Sequence, residues 1–157
     1  GLKSYQPLPH RLQPLGEKDG IKYYDDSIST ICETTIQALN TLKDVDTVLI
    51  GGMDRGIDYS ELIRFLSGHK VPHIILMEAT GKRILEEILK GYPDFQGKER
   101  LILTDHLEDA VNKAKELTRP GHSCLMSPAA ASYGIFKNFE ERGEVFARLV
   151  SGSDKLM

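Results

Sequence analysis

The feature that most constrains the fold is a regular alternation of short apolar runs with longer segments of helical periodicity. The apolar runs cover residues 47–50, 73–77, 101–103 and 123–126. The helical segments that follow them cover residues 59–66, 81–89, 107–117 and 133–149. Strands that are apolar throughout and alternate with helices indicate a parallel sheet covered on both faces. The sequence therefore predicts an α/β three-layer domain with a mostly parallel sheet.

A β-hairpin and a helix are predicted before this alternation begins. Two extended stretches between residues 11 and 24 flank an Asp-Gly pair, which is a strong signal for a tight turn. Thr30 and Glu33 have the spacing of a capping box, so a helix is predicted to begin at Thr30. Apolar spacing places Ile31 on the buried face of that helix and Leu89 on the buried face of the helix over 81–89.

Composition restricts the class of protein. The chain of 157 residues has the length of one domain, and 27% charged with 40% hydrophobic residues is normal for a globular protein. A net charge of −3 gives no reason to expect nucleic acid as a partner. No apolar run approaches a membrane span, so no membrane insertion is expected. Cys32 and Cys124 are interpreted as buried thiols in a reducing cytosol.

Five loops of the predicted fold follow strands and should share one rim of the sheet. They cover residues 25–30, 51–58, 78–81, 104–106 and 127–132. In open parallel sheets, ligands bind outside the carboxyl ends of the strands. This rim is therefore the predicted location of a binding site.

Gly51, Gly52 and Arg55 are the first candidate residues on this rim. The glycines allow a close backbone approach or a positive φ, and exposed amides there could bind an anion. Arg55 could hold a carboxylate through two parallel hydrogen bonds. The alternative is an ordinary strand-to-helix turn with a solvated Arg55.

Three further candidates each have a structural alternative. Ser132 and Thr30 could donate hydroxyl hydrogen bonds to a carboxylate, or each could cap a helix. Phe139 could cover the aliphatic part of a small substrate, or it could pack in the core. No phosphate loop of the type Gly-x-x-x-x-Gly-Lys-Ser/Thr and no metal-ligand spacing occur, so neither a catalytic residue nor a metal site is predicted in this chain.

Four blocks together resemble the C-terminal domain of the Mur ligases, the ATP-dependent amide-forming enzymes of peptidoglycan synthesis. The blocks are Leu-Pro-His-Arg at 8–11, Asp-Asp-Ser-Ile-Ser-Thr at 25–30, Gly-Gly-Met-Asp-Arg-Gly-Ile-Asp at 51–58, and Ser-Pro-Ala-Ala-Ala-Ser at 127–132 with Phe-Lys-Asn-Phe-Glu-Glu-Arg-Gly at 136–143. Their order and approximate spacing are those of the family, and the last block is most similar to the D-glutamate-adding member. Two positions depart from the family pattern, since Ile28 and Arg55 stand where lysine is common.

The resemblance implies the third, Rossmann-like domain of a three-domain bacterial cytoplasmic enzyme, which we expect to be a monomer. The whole enzyme would use ATP and Mg²⁺ to join D-glutamate to UDP-N-acetylmuramoyl-L-alanine, whereas this fragment alone would need no cofactor and be inactive. Arg55, Thr30, Ser132 and Phe139 would bind D-glutamate. Arg11 and Asp26 would face the nucleotide when the domains close.

The resemblance also divides the chain. Residues 1–10 are expected to be a tag remnant and an interdomain junction, residues 11–150 the amino-acid-binding domain, and residues 151–157 a tail. Two alternatives remain open. The domain could come from another Mur ligase or a folylpolyglutamate synthase, or the chain could be a free-standing α/β binding module.

Overall fold

The computed structural model describes residues 8–152, which fold around one six-stranded sheet. The strands are β1 (Gln13–Lys18), β2 (Ile21–Asp25), β3 (Val45–Gly51), β4 (His73–Met77), β5 (Leu101–Thr104) and β6 (Ser123–Met126). The helices are α1 (Cys32–Thr41), α2 (Ser60–Gly68), α3 (Glu78–Gly91), α4 (Leu107–Leu117) and α5 (Phe139–Ser151), with a short 3₁₀ helix at Lys98–Arg100. The expected junction and tail lie partly outside the described residues.

The order of the strands is β1-β2-β6-β3-β4-β5, and only the β1–β2 pair is antiparallel. The predicted hairpin is confirmed. Its turn places Asp19 at φ 53° and Gly20 at φ 83°, the left-handed conformation that tight two-residue hairpin turns require. The remaining strands are parallel, as the apolar runs predicted.

Two apolar layers cover the faces of the sheet, so the predicted α/β, Rossmann-like three-layer fold is confirmed. Alternate residues of a strand point to opposite faces. Val48 and Ile50 therefore pack with helices α1, α2 and α3, whereas Leu49 packs with helices α4 and α5. Within the described residues, no helix is both long and apolar enough to cross a membrane.

Sequence predictions about helices α1, α3 and α5 are wrong. Helix α1 begins at Cys32, because Ile31 is still extended and is 43% exposed. The capping box of Thr30 and Glu33 does not form, since no side chain caps this helix. The chain instead turns tightly just before, where the amide of Ser29 donates to the carbonyl of Asp26 at 2.9 Å.

The other errors concern helices α3 and α5. Leu89 is 61% exposed, because helix α3 lies on the sheet through Ile84 and Ile88 and turns Leu89 outward. Helix α5 begins at Phe139 and not at residue 133. Asn138 caps it, accepting the amide of Glu141 at 2.9 Å, which is a favourable N-terminal arrangement.

Candidate functional site

Gly51 and Gly52 form the tightest packing point at the rim of the sheet. Gly51 has φ 138°, and a Cβ there would lie 1.9 Å from the carbonyl oxygen of Met77. A Cβ on Gly52 would lie 2.6 Å from the carbonyl oxygen of Ala131. The Gly51 amide donates to the carbonyl of Pro128 at 2.9 Å. Close backbone approach thus explains both glycines, and the Gly51 amide is already used inside the fold.

This packing brings Arg55 next to the loop that carries Ser132. The amide of Met53 donates to the carbonyl of Ala131 at 2.9 Å and forms an isolated antiparallel bridge. The Arg55 guanidinium is exposed, and its Nη1 donates to the hydroxyl of Tyr133 at 3.2 Å. Within residues 8–152, Arg55 forms no ion pair. The guanidinium is thus available to an external carboxylate.

The loop that carries Thr30 borders the Arg55 loop from the other side. Cys32 donates its thiol to the carbonyl of Asp58 at 3.5 Å. Ile31, Cys32, Ile57 and Asp58 also line a shared cavity of about 290 Å³. Thr30, half-buried, directly precedes this contact. The three loops that carry Thr30, Arg55 and Ser132 therefore meet at one rim, as predicted.

A buried arginine, Arg142, joins two of these loops from behind. Its Nε and Nη2 donate to the hydroxyl and the carbonyl of Ser27 at 2.9 and 2.7 Å. Its Nη1 donates to the carbonyl of Ala131 at 3.1 Å. Burial lowers the pKa of Arg142 to about 10, while the nearby carboxylates of Glu78 and Asp25 act to raise it. The side chain is still charged at neutral pH and fixes the residue preceding Ser132.

The same network holds Phe139 at the start of helix α5. The Ser27 hydroxyl donates to the Phe139 carbonyl at 2.7 Å. The Phe139 ring is half-buried and meets the His10 ring edge-on, with centroids 6.1 Å apart. His10 in turn pairs with the buried carboxylate of Asp25 at 2.6 Å. Phe139 thus lies at the surface of the rim and not within the described hydrophobic core clusters.

Asp26, which the resemblance predicts to face a nucleotide when the domains close, is buried in this structure. Its carboxylate is buried, accepting the Leu12 amide at 3.0 Å and the hydroxyls of Ser29 and Ser127 at 2.5 and 2.7 Å. Burial raises the pKa of Asp26, and these hydrogen bonds oppose the rise. The carboxylate instead fixes Leu12, the neighbour of the exposed Arg11. A nucleotide contact by Arg11 or Asp26 on closure stays a prediction.

The sequence patterns did not identify several residues of the site. Arg142 lies inside the last block of the family resemblance and Tyr133 lies between the two parts of that block, yet the sequence pattern predicted no contact for either residue. The Asn138-x-x-Glu141 spacing of a capped helix start was available and would have moved the beginning of α5 to its observed place. Ile28 lines a cavity of about 130 Å³ together with Arg11.

Curated relatives match nearly all of this chain, although no family model matches it. It is 39% identical to a protein from Caldanaerobacter subterraneus named UDP-N-acetylmuramoylalanine–D-glutamate ligase. The 150 matched residues make up 95% of this chain and 32% of that protein. A protein of the same name from Chlamydia caviae is 34% identical over 155 residues, 99% of this chain and 35% of that protein. The chain thus spans about a third of the length of the relatives it matches.

Solved structures share the fold. The murein peptide ligase mpl from Psychrobacter arcticus superposes with a TM-score of 0.63 at 14% identity, over 98% of this chain and 32% of that one. The MurF ligase from Thermotoga maritima in complex with ADP superposes with a TM-score of 0.56 at 18% identity, over 96% of this chain and 33% of that one.

Proposed function

The chain belongs to the Mur ligase family, and from that premise we propose that it is the amino-acid-binding C-terminal domain of a D-glutamate-adding ligase. The whole enzyme would join D-glutamate to UDP-N-acetylmuramoyl-L-alanine with ATP in the bacterial cytoplasm, as part of peptidoglycan synthesis. The similarity to relatives named for this activity supports the proposal. The Arg55 guanidinium on the rim carries it physically, because it is exposed, forms no ion pair within residues 8–152 and is suited to hold a carboxylate.

In the proposed site each candidate has a distinct task. Arg55 binds one carboxylate of D-glutamate through charge-assisted hydrogen bonds. Ser132, only 7% exposed, and Thr30 donate hydroxyl hydrogen bonds from the neighbouring loops. Phe139 covers the methylene groups.

The chemistry requires the parts of the enzyme that this chain does not supply. In the proposed reaction the carboxylate of UDP-N-acetylmuramoyl-L-alanine is phosphorylated by ATP, the amine of D-glutamate attacks the acyl carbon, and phosphate leaves. Mg²⁺ would supply charge neutralisation for the phosphates. In residues 8–152, no group of three or more His, Cys, Asp or Glu side chains could hold a metal ion, so we assign no residue of this chain to it.

Replacing Arg55 with Ala in the full-length ligase tests the proposal. The KM for D-glutamate should rise by roughly ten- to a hundredfold, since a lost charge-assisted contact costs about 1.5–3 kcal/mol. The KM for ATP should stay near wild type. Steady-state phosphate release measures both, and this chain alone, in the same assay, should release none. An unchanged efficiency with D-glutamate would reduce Arg55 to a solvated loop residue.

A further inference from the structure

The loop that carries Arg55 is held by a second arginine, Arg83 of helix α3. The Nε of Arg83 donates to Asp54 Oδ2 at 2.8 Å, and its Nη2 donates to the carbonyl of Ile57 at 2.6 Å. Its Nη1 pairs with Glu87 at 2.6 Å, and its guanidinium carbon lies 5.0 Å from the centroid of the Tyr59 ring. One half-buried side chain thus fixes the loop on both sides of Arg55.

Arg83 also forms an ion pair with Asp54, whose carboxylate is the nearest to Arg55 in sequence. Asp54 Oδ1 accepts the Gly56 amide at 2.9 Å, while Oδ2 faces Arg83. Burial alone would raise the pKa of Asp54, but the Gly56 amide and Arg83 together lower it, so this carboxylate is charged at neutral pH. Without Arg83, a charged Asp54 would be left beside Arg55 and would attract its guanidinium.

Tyr133 contacts Arg55 from the opposite loop. Its hydroxyl accepts Arg55 Nη1 at 3.2 Å, and the bridge between Met53 and Ala131 fixes the two loops relative to each other. A hydroxyl is a neutral acceptor. It can therefore orient the guanidinium without neutralising the charge that a substrate carboxylate needs.

We infer that Arg83 and Tyr133 are positioning residues for Arg55: Arg83 sequesters Asp54, and Tyr133 orients the freed guanidinium towards the carboxylate of the incoming amino acid. This inference rests on the proposed function. It predicts that both residues affect the use of the amino acid without touching it. It also predicts that the effect of losing Arg83 depends on the charge of Asp54.

Four variants of the full-length ligase test the inference through the KM for D-glutamate. Tyr133→Phe should raise it about threefold, the scale of one solvent-exposed hydrogen bond to a neutral acceptor. Arg83→Gln should raise it about tenfold, because Asp54 then competes for Arg55. Asp54→Asn in the Arg83→Gln background should restore most of the loss, since Asn keeps an acceptor for the Gly56 amide but has no charge. Arg55→Ala is the reference.

The controls separate the inference from the proposed function. Tyr92→Phe and Arg64→Gln, matched changes outside these contacts, should leave every KM unchanged. If Arg55→Ala itself has no effect on D-glutamate, the proposed role of Arg55 fails. If Arg55→Ala acts but Tyr133→Phe and Arg83→Gln do not, the positioning inference alone is overturned.

A purely structural role of Arg83 gives a different pattern. Arg83→Gln would then lower the melting temperature and the turnover number, and adding Asp54→Asn would not restore the KM for D-glutamate. This pattern would overturn the role assigned to Arg83. If Arg83→Gln does not fold, Tyr133→Phe alone tests the inference, because the Tyr133 side chain lies at the surface. An unchanged KM in that variant rejects the inference.

Discussion

Behind the candidate site, two buried ionisable side chains hold the loops that carry the proposed ligand-binding residues. Arg142 fixes the Ser27 and Ala131 carbonyls, and Asp26 binds Leu12 and Ser127. The exposed Arg55 was predictable, since its loop follows an apolar strand and matches a family block. The role of Arg142 was not, because its partners are mainly backbone carbonyls brought together by the fold, which leave no mark in sequence.

The buried Asp26 carboxylate should make stability depend on pH. Its folded pKa is raised above its ordinary value of 3.8, mainly by burial, so the folded state holds the proton more tightly than the unfolded state. The contribution of Asp26 to stability therefore falls as pH rises from 3.8 through the folded pKa. Asp26→Asn removes this term. The free energy of unfolding of the Asp26→Asn variant, minus that of wild type, should therefore increase with pH.

Chemical denaturation of this chain between pH 4 and pH 7 measures that difference. Asp19→Asn is the control, because Asp19 is exposed in the hairpin turn and Asn tolerates its left-handed backbone. Curves for wild type and Asp26→Asn that stay parallel over the whole range would show that the burial of Asp26 has no energetic effect in this window.

Among the elements, agreement between sequence and structure follows the strength of the apolar pattern. Strand β4, helix α4 and strand β6 have the predicted bounds, because each has a buried pattern bordered by polar residues or proline. The start of helix α5 was placed six residues early. Residues 133–138 form turns and bends, and that stretch contains aromatic and apolar residues that also suit a helix. Only the cap at Asn138 distinguishes the two conformations.

Helix α5 is fitted to the N-terminal segment at Gly143. A Cβ at this position would lie 2.3 Å from His10 Nδ1 and 2.4 Å from Asp25 Oδ2. Gly143→Ala should therefore separate this pair or shift the helix, and we expect a loss of about 1–3 kcal/mol in the free energy of unfolding. Gly91→Ala at the end of helix α3 is the matched control, since nothing lies within 4 Å of its added Cβ.

Urea denaturation of both variants gives the comparison. Gly91→Ala should be neutral or gain about 0.5 kcal/mol, because alanine is the better helix former. Equal stability of the two variants would mean that His10 and Asp25 adjust freely and that the fit at Gly143 is loose.

For the molecule as a whole, the strand-end loops and the chain segment at Arg11 lie on the same side of one sheet. The amide of Ile28 donates to the carbonyl of His10 at 3.1 Å, so the incoming segment is attached to the rim. Sequence pattern could place the loops on this rim, because parallel strands align their carboxyl ends. It could not show that the incoming segment is anchored there by Asp26 and His10.

Arg11 should contribute to closure of the full-length ligase on ATP. It is exposed beside the anchored Leu12, where a moving domain could bring it to the nucleotide. Arg11→Ala should raise the concentration of a non-hydrolysable ATP analogue needed for compaction by about tenfold. Small-angle scattering measures the compaction, and Lys113→Ala in helix α4 is the control. Identical titrations of wild type and Arg11→Ala would exclude the contact.

The order of the strands has a consequence for synthesis of the chain. Strand β2 pairs with strand β6, so that Lys22 finds its partner only when Ser123 has left the ribosome. Strands β3, β4 and β5 follow one another with intervening helices and can assemble earlier, because their contacts are more local. The β1–β2 hairpin therefore has an unpaired strand edge until β6 has been synthesised. We expect the rim, which needs Ser127 and Arg142 as well, to be the last part of the domain to acquire its native structure.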